Sequence, residues 1–271
     1  MARNAASKAQ AGPADLAADF DFGRLARVRL QAMAAAGEEV RECARVLAKT
    51  GDNPVRELLR GGGRAVAWRH YPKGDVYDPA TGSQFYYHVH PVTGGGAAVG
   101  HVHTFMRPSG MPPSCRPAPL PDFVAPEDRN EALSHLIAIS IDRRGVPDAL
   151  FTTNRWVTGE TWYRASDVVA MLDGFEIDLA QPSWPANRWI TAMLRLFRPQ
   201  IAALAVARDG AMARWRRRHP TRNAYEDREL EVVTRLAISV DAQTAKIRRA
   251  LARRTSARTI ATPARGRRRT T

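Results

Sequence analysis

Apolar residues follow helical spacing at both ends of this chain and alternate with polar ones in the middle. Between positions 20 and 49, Leu25, Val28, Met33, Val40 and Leu47 form a stripe of roughly helical period. Thr50-Gly51-Asp52-Asn53-Pro54 stops that helix, and a shorter one follows to Arg60. After Gly61-Gly62-Gly63 the period drops to two. The predicted strands are 64–71, 83–90, 99–106, 135–142 and 149–157, the last two joined as a hairpin by Asp142-Arg143-Arg144-Gly145-Val146-Pro147. Helical spacing then returns. Ser166-Asp167 caps a short helix ending at Gly174. Ile190, Leu194, Phe197, Ile201, Leu204, Ala211 and Trp215 mark a long helix that Pro199 kinks or splits. Leu230, Val233, Ala237, Val240, Thr244, Ile247 and Leu251 step by three and four, as a seam for another helix, within the chain or in a dimer.

These periods predict an α+β protein: an antiparallel sheet of about five strands covered by long C-terminal helices, with an N-terminal helix alongside. The expected organisation is a disordered leader over 1–19, a helical segment over 20–60 and a β region over 61–164. A helical region over 165–254 and a basic disordered tail over 255–271 follow. Seven prolines between positions 108 and 126 exclude regular structure there and predict an extended surface loop that covers something.

Composition narrows the setting. The only cysteines are Cys43 and Cys115, which excludes a disulfide framework and a thiolate zinc site and fits a reducing cytoplasm. No apolar run reaches membrane-spanning length. The formal charge is +14, but seven arginines and no acid fall between Arg253 and Thr271. Apart from Arg214-Trp215-Arg216-Arg217-Arg218, the rest of the excess is dispersed. A solvated basic surface is the expectation, with weak non-specific nucleic-acid contact through the tail as the functional alternative.

The chemistry concentrates in two H-x-H pairs, His88-Val89-His90 and His101-Val102-His103, separated by a glycine-rich stretch. On a strand, such a pair points both imidazoles to one face. Pairing His88 with His103 and His90 with His101 brings four rings together, whereas a slip of one residue divides them. Clustered imidazoles cannot all be protonated, so they share an ion or a carboxylate. Three can bind Zn²⁺, Fe²⁺, Mn²⁺, Ni²⁺ or Cu²⁺ and leave a position open for water or substrate. Asp75 is a candidate further ligand, and Tyr86 and Gln84 share the histidine face. The intervening loop reads either as a mobile lid or as a plain tip. Arg155 and Glu160 offer an anion clamp and an acid–base group, or an ion pair with each other. His70 and His135 read as core histidines, and His219 as surface.

Four segments together carry a family resemblance: HYPxGDVYD at 70–78, SQFYYHxH at 83–90, GHxHTF at 100–105 and NRWVTGETW at 154–162. They resemble a bacterial family of unknown function, with the likeness running from about Ala34 to Asp209. The resemblance implies no activity, cofactor or catalytic residue.

The residues themselves lead to a metal-dependent enzyme acting on a small molecule. His88, His90, His101, His103 and Asp75 are its candidate ligands, and Tyr86, Arg155 and Glu160 its candidate catalytic groups. The alternatives are a non-catalytic metal or metabolite sensor and a nucleic-acid-associated protein.

Overall fold

The computed structural model describes residues 14–16, 20–62, 65–90, 100–120, 122–142 and 144–260. The first strand is the two-residue β1 (Ala14–Asp15), followed by α1 (Arg27–Ala48) and α2 (Pro54–Leu59). Five strands come next: β2 (Tyr71–Asp78), β3 (Ser83–Val89), β4 (Gly100–Met106), β5 (Ser134–Ile141) and β6 (Pro147–Thr153). The chain continues through α3 (Arg155–Thr158), α4 (Ala165–Met171), α5 (Trp184–Leu196), α6 (Arg198–Arg218), β7 (Val232–Ala237) and α7 (Val240–Ile260). The sheet order is β1-β7-β6-β5-β4-β3-β2, antiparallel throughout except for the β1–β7 pair. This is the expected α+β architecture with one more antiparallel strand than the alternation predicts.

The helices cover one face of the sheet. Phe85, Tyr87 and Val89 of β3, Val102 and Met106 of β4, and Ile137, Ile139 and Ile141 of β5 join one core with Leu30, Met33, Trp189, Ile190 and Leu204 from the helices. Residues of opposite parity, Tyr86, Phe105, Ala138, Ala149 and Phe151, are outside that core although each is buried. Close approach of α1 and α7 depends on Gly37, where a Cβ would stand 2.8 Å from the Thr244 Oγ1.

Several elements depart from the sequence expectation for local reasons. No strand spans 64–71; residues 67–68 turn, and the strand begins at Tyr71. Its alternation was hidden by a register shift between Tyr71 and Val76, where Gly74 and Asp75 both have positive φ. The seam starting at Leu230 is two elements, because the β-branched run Val232-Val233-Thr234 pairs with β6. Helix starts only after this, with the Ser239 Oγ accepting from the Ala242 N–H. On α7 itself, Thr244 and Ile247 are buried within this chain. α5 and α6 divide just before Pro199 and bend by 69°. On α1 the buried stripe is Leu30, Met33, Gly37, Val40 and Leu47, while Val28 faces solvent.

The leader expected over 1–19 contains β1, which pairs with Thr234 and Arg235 and so covers the edge of β7. Its remainder, 1–13 and 17–19, lies outside the described residues, as does the loop over 91–99. The basic segment expected as a tail from 255 is helical in backbone to Ile260, and 261–271 lie outside the described residues. The proline loop runs along the surface and docks by the Ala118 N–H on the Trp162 carbonyl at 2.7 Å. No single described helix is long and apolar enough to cross a membrane.

Candidate metal centre

β3 and β4 pair with His88 opposite His101 and Tyr86 opposite His103. This register is two residues from the expected pairing. A shift of two preserves parity, so the histidines still share a face, the one without helices. Ring centroids of His88 and His103 are 4.9 Å apart, His88 and His90 5.0 Å, and His90 and His101 4.9 Å. Ligand atoms of His88, His101 and His103 all fall within 4.8 Å of one another. His90 stands beside this triad at its more open side.

A fifth histidine belongs to the group. The His103 Nε2 lies 3.2 Å from the His88 Nε2, and the His103 Nδ1 lies 3.2 Å from the His135 Nε2. The His135 Nδ1 is 3.4 Å from the Thr153 Oγ1. Strict alternation would put His135 with Ile137, Ile139 and Ile141 in the helix-facing core. A bulge between Thr104 and Phe105 instead sets His135 opposite Phe105 and turns it to the histidine face. That bulge left no sign in the spacing of apolar residues.

Burial governs the electrostatics. It lowers His88 to about 4, and His101 and His135 to about 3, with His103 also well below the ordinary value; neighbouring imidazoles push His88, His101 and His103 the same way. The cluster is therefore neutral at pH 7, the form in which imidazole offers a lone pair to a metal. The His101 Nδ1 is buried and has no hydrogen-bond partner. A tetrahedral ion with Zn–N bonds of about 2.0–2.1 Å separates its ligand nitrogens by about 3.3 Å. The 3.2 Å between the His88 and His103 Nε2 atoms matches that edge. Were both of those lone pairs to hold an ion, the His103 Nδ1–H would donate to the His135 Nε2 and the His135 Nδ1–H to the Thr153 Oγ1, a chain that would fix the ring orientations. The residues present could hold a metal ion.

The other candidate residues lie around this group. Tyr86 stacks at 5.2 Å on His103 and at 3.7 Å on His70, and burial raises its hydroxyl far above the ordinary range. Asp75 does not reach the triad: its Oδ1 holds the His70 Nδ1 at 2.9 Å and its Oδ2 accepts from the Gln84 Nε2 at 2.9 Å. Gln84 in turn accepts from the Arg107 Nε at 2.6 Å. His70 is thus no core residue, but a ring held on the histidine face. Trp68 meets His90 edge-on at 4.6 Å.

Arg155 is engaged away from the cluster, donating to Asp122 at 2.5 Å and to Glu226 at 2.9 Å, so its fork is already satisfied by carboxylates. Glu160 makes no ion pair with it. The Glu160 Oε2 accepts from the His135 backbone N–H at 2.7 Å, the Oε1 has no partner, and burial raises the carboxyl to about 8. It is a neutral acid beneath the histidines. In the same motif Asn154 is structural, capping α3 through Arg155 N and donating to the Ala224 carbonyl at 2.8 Å.

Fold and site together define an α+β protein whose antiparallel sheet has helices on one face and a neutral, convergent histidine cluster on the other. The chain matches the model of a domain of unknown function, DUF6969, over residues 34–238. That match covers most of its length, and the chain belongs to this family. No curated protein and no solved structure matches it.

Proposed function

We propose that His88, His101 and His103 hold a divalent transition metal (Zn, Fe, Mn, Ni or Cu) and that the protein is an enzyme acting on a small molecule there. The observation that carries the reading is the convergence of three neutral imidazoles, one with an orphaned buried nitrogen. Three ligands leave a position open for chemistry, and a closed sensor site would need a fourth. The ion would act as a Lewis acid on a bound substrate. His90, half-buried beside the triad, is the group placed to move a proton, and Tyr86 lines the approach. Glu160 is a proton-bearing group behind His135. Two buried, unpaired cysteines agree with a reducing cytoplasm as the setting.

The test is the metal content of untagged protein by mass spectrometry, beside the His88→Ala/His101→Ala variant. About one equivalent of a single metal, absent from the variant, is the expected result. A wild type that stays empty after reconstitution with each of the five metals removes the reading.

A second, independent reading concerns polyanions. Arg214, Arg216, Arg217 and Arg218 at the end of α6 have no carboxylate partner among the described residues. Loose nucleic-acid contact there would weaken steeply with salt.

A further inference from the structure

Segment 68–75 runs beside the histidine cluster at the β2 edge, and its backbone is unusual. Trp68 and Asp75, with φ of 66° and 60°, are the only non-glycine residues at positive φ among the described residues. A bulky residue is rarely found there unless its surroundings hold it, and such positions concentrate where ligands bind. Trp68 is nevertheless 61% exposed. Its conformation therefore serves no burial.

Along residues 69–75 a cleft of about 860 Å³ opens, lined by Arg60, Arg69, His70, Lys73 and Asp75 among others. Its charges are not balanced. Arg60 is occupied by Asp52 and Glu57. Asp75, the one carboxylate of the lining, spends both oxygens on His70 and Gln84. Arg69 and Lys73 have no carboxylate partner among the described residues. The cleft therefore offers two unmatched cations, whereas the Arg155 fork is closed by its own carboxylates.

His70 links the cleft to the chemistry. It lines the cleft, stacks on Tyr86, and its ring centroid lies 6.3 Å from that of His88. An anionic group in the cleft is thus about one imidazole away from the triad. The exposed edges of His70 and Trp68 offer flat apolar surface along that path.

We infer that the cleft binds the anionic end of the substrate, and that the substrate is a small organic anion with a planar group reaching toward the triad. This rests on the metal-centre reading for the chemistry, but not for the binding. Arg69 and Lys73 supply the charge, and His70, fixed by Asp75, is the positioning residue between the two sites.

The test is calorimetric titration of untagged, as-purified protein with benzoate, phenyl phosphate and uncharged benzyl alcohol. Wild type and Arg69→Ser/Lys73→Ser are compared, with metal content measured on the same preparations. Both substituted side chains are exposed, so the fold is retained. At least one anion should bind about tenfold or more tighter than the alcohol, and the double variant should lose that preference with its metal content unchanged. No anion preference in the wild type, or an unchanged preference in the variant, overturns the inference. A wild type that stays metal-free after reconstitution with each of the five metals, yet keeps its anion preference, would instead sink the metal centre and leave the anion cleft standing.

Discussion

Acidification from pH 7 to pH 5 should remove about 3 kcal/mol or more of folding stability in the presence of a chelator, where only protons compete for the cluster. An unfolded histidine titrates near 6.5, while the folded values are about 4 for His88 and about 3 for His101 and His135. Below pH 6.5 the unfolded chain therefore takes up protons that the folded one refuses. Stability is fully present above that pH and is lost as pH falls toward the folded values. At about 1.4 kcal/mol per pH unit, each imidazole costs about 2 kcal/mol by pH 5, or about 6 for the three. Glu160 acts in opposition. Its carboxyl is raised from 4.5 to about 8, so its contribution is present at low pH and declines as pH rises through that window. Moving from pH 7 to pH 5 recovers about 3 kcal/mol from it. Asp173, lowered to about 2 by its bonds to Arg198 and Arg29, titrates below this range. His103, shifted in the same direction as the other histidines, adds to the loss. Against a total of about 5–15 kcal/mol, the net effect is readily measured by urea unfolding at pH 7, 6 and 5. Glu160→Gln keeps the acceptor for His135 N but removes the opposing contribution, so its pH dependence should be about twice as steep. Equal or greater wild-type stability at pH 5 would refute the neutral, buried cluster.

Other predictions follow from packing and capping. Gly37→Ala should destabilise by about 1–2 kcal/mol despite better helix propensity, since its Cβ meets Thr244 Oγ1, and adding Thr244→Ala should restore most of the loss in thermal unfolding. Asn154→Ala removes both the α3 cap and the donor to the buried Ala224 carbonyl, for an expected loss of about 2–3 kcal/mol. Asn154→Asp keeps the cap acceptor but sets a buried carboxylate oxygen against the Ala224 carbonyl, so its melting temperature should be no higher than that of Asn154→Ala. Binding of a labelled single-stranded oligonucleotide, if it uses the α6 arginines, should drop in Arg216→Ser/Arg217→Ser and fade between 50 and 200 mM salt, on the order of the usual counterion effect. Salt-insensitive binding would remove that reading.

The histidine face was legible because period-two alternation survives any even shift of register. The sequence places His88 and His90 together on one strand and His101 and His103 on the next, whether the partner of His88 is His103 or, as observed, His101. What alternation does not encode is its own interruption. The bulge beside Phe105 reversed the side on which His135 falls, and the Gly74–Asp75 irregularity hid β2 and with it the role of His70. β7 was obscured differently. Leu230, Val233 and Ala237 satisfy helical spacing while the backbone is extended, and only pairing with β6 decides between the two. Arg155 and Glu160, five residues apart, find their partners in Asp122, Glu226 and His135, which no local pattern reveals.

The two faces of the sheet also set what kinds of genetic change this chain can absorb. In β4, His101 and His103 face one side while Val102 and Met106 belong to the helix-packed core. A substitution at either set harms one of them and leaves its neighbour in place. Deleting a single residue within Gly100–Met106 reverses the facing of every strand residue on one side of the gap, so imidazoles and core side chains there change places between the two layers. Drift in this strand can therefore proceed by replacement, whereas a one-codon gap removes fold and chemistry in a single step.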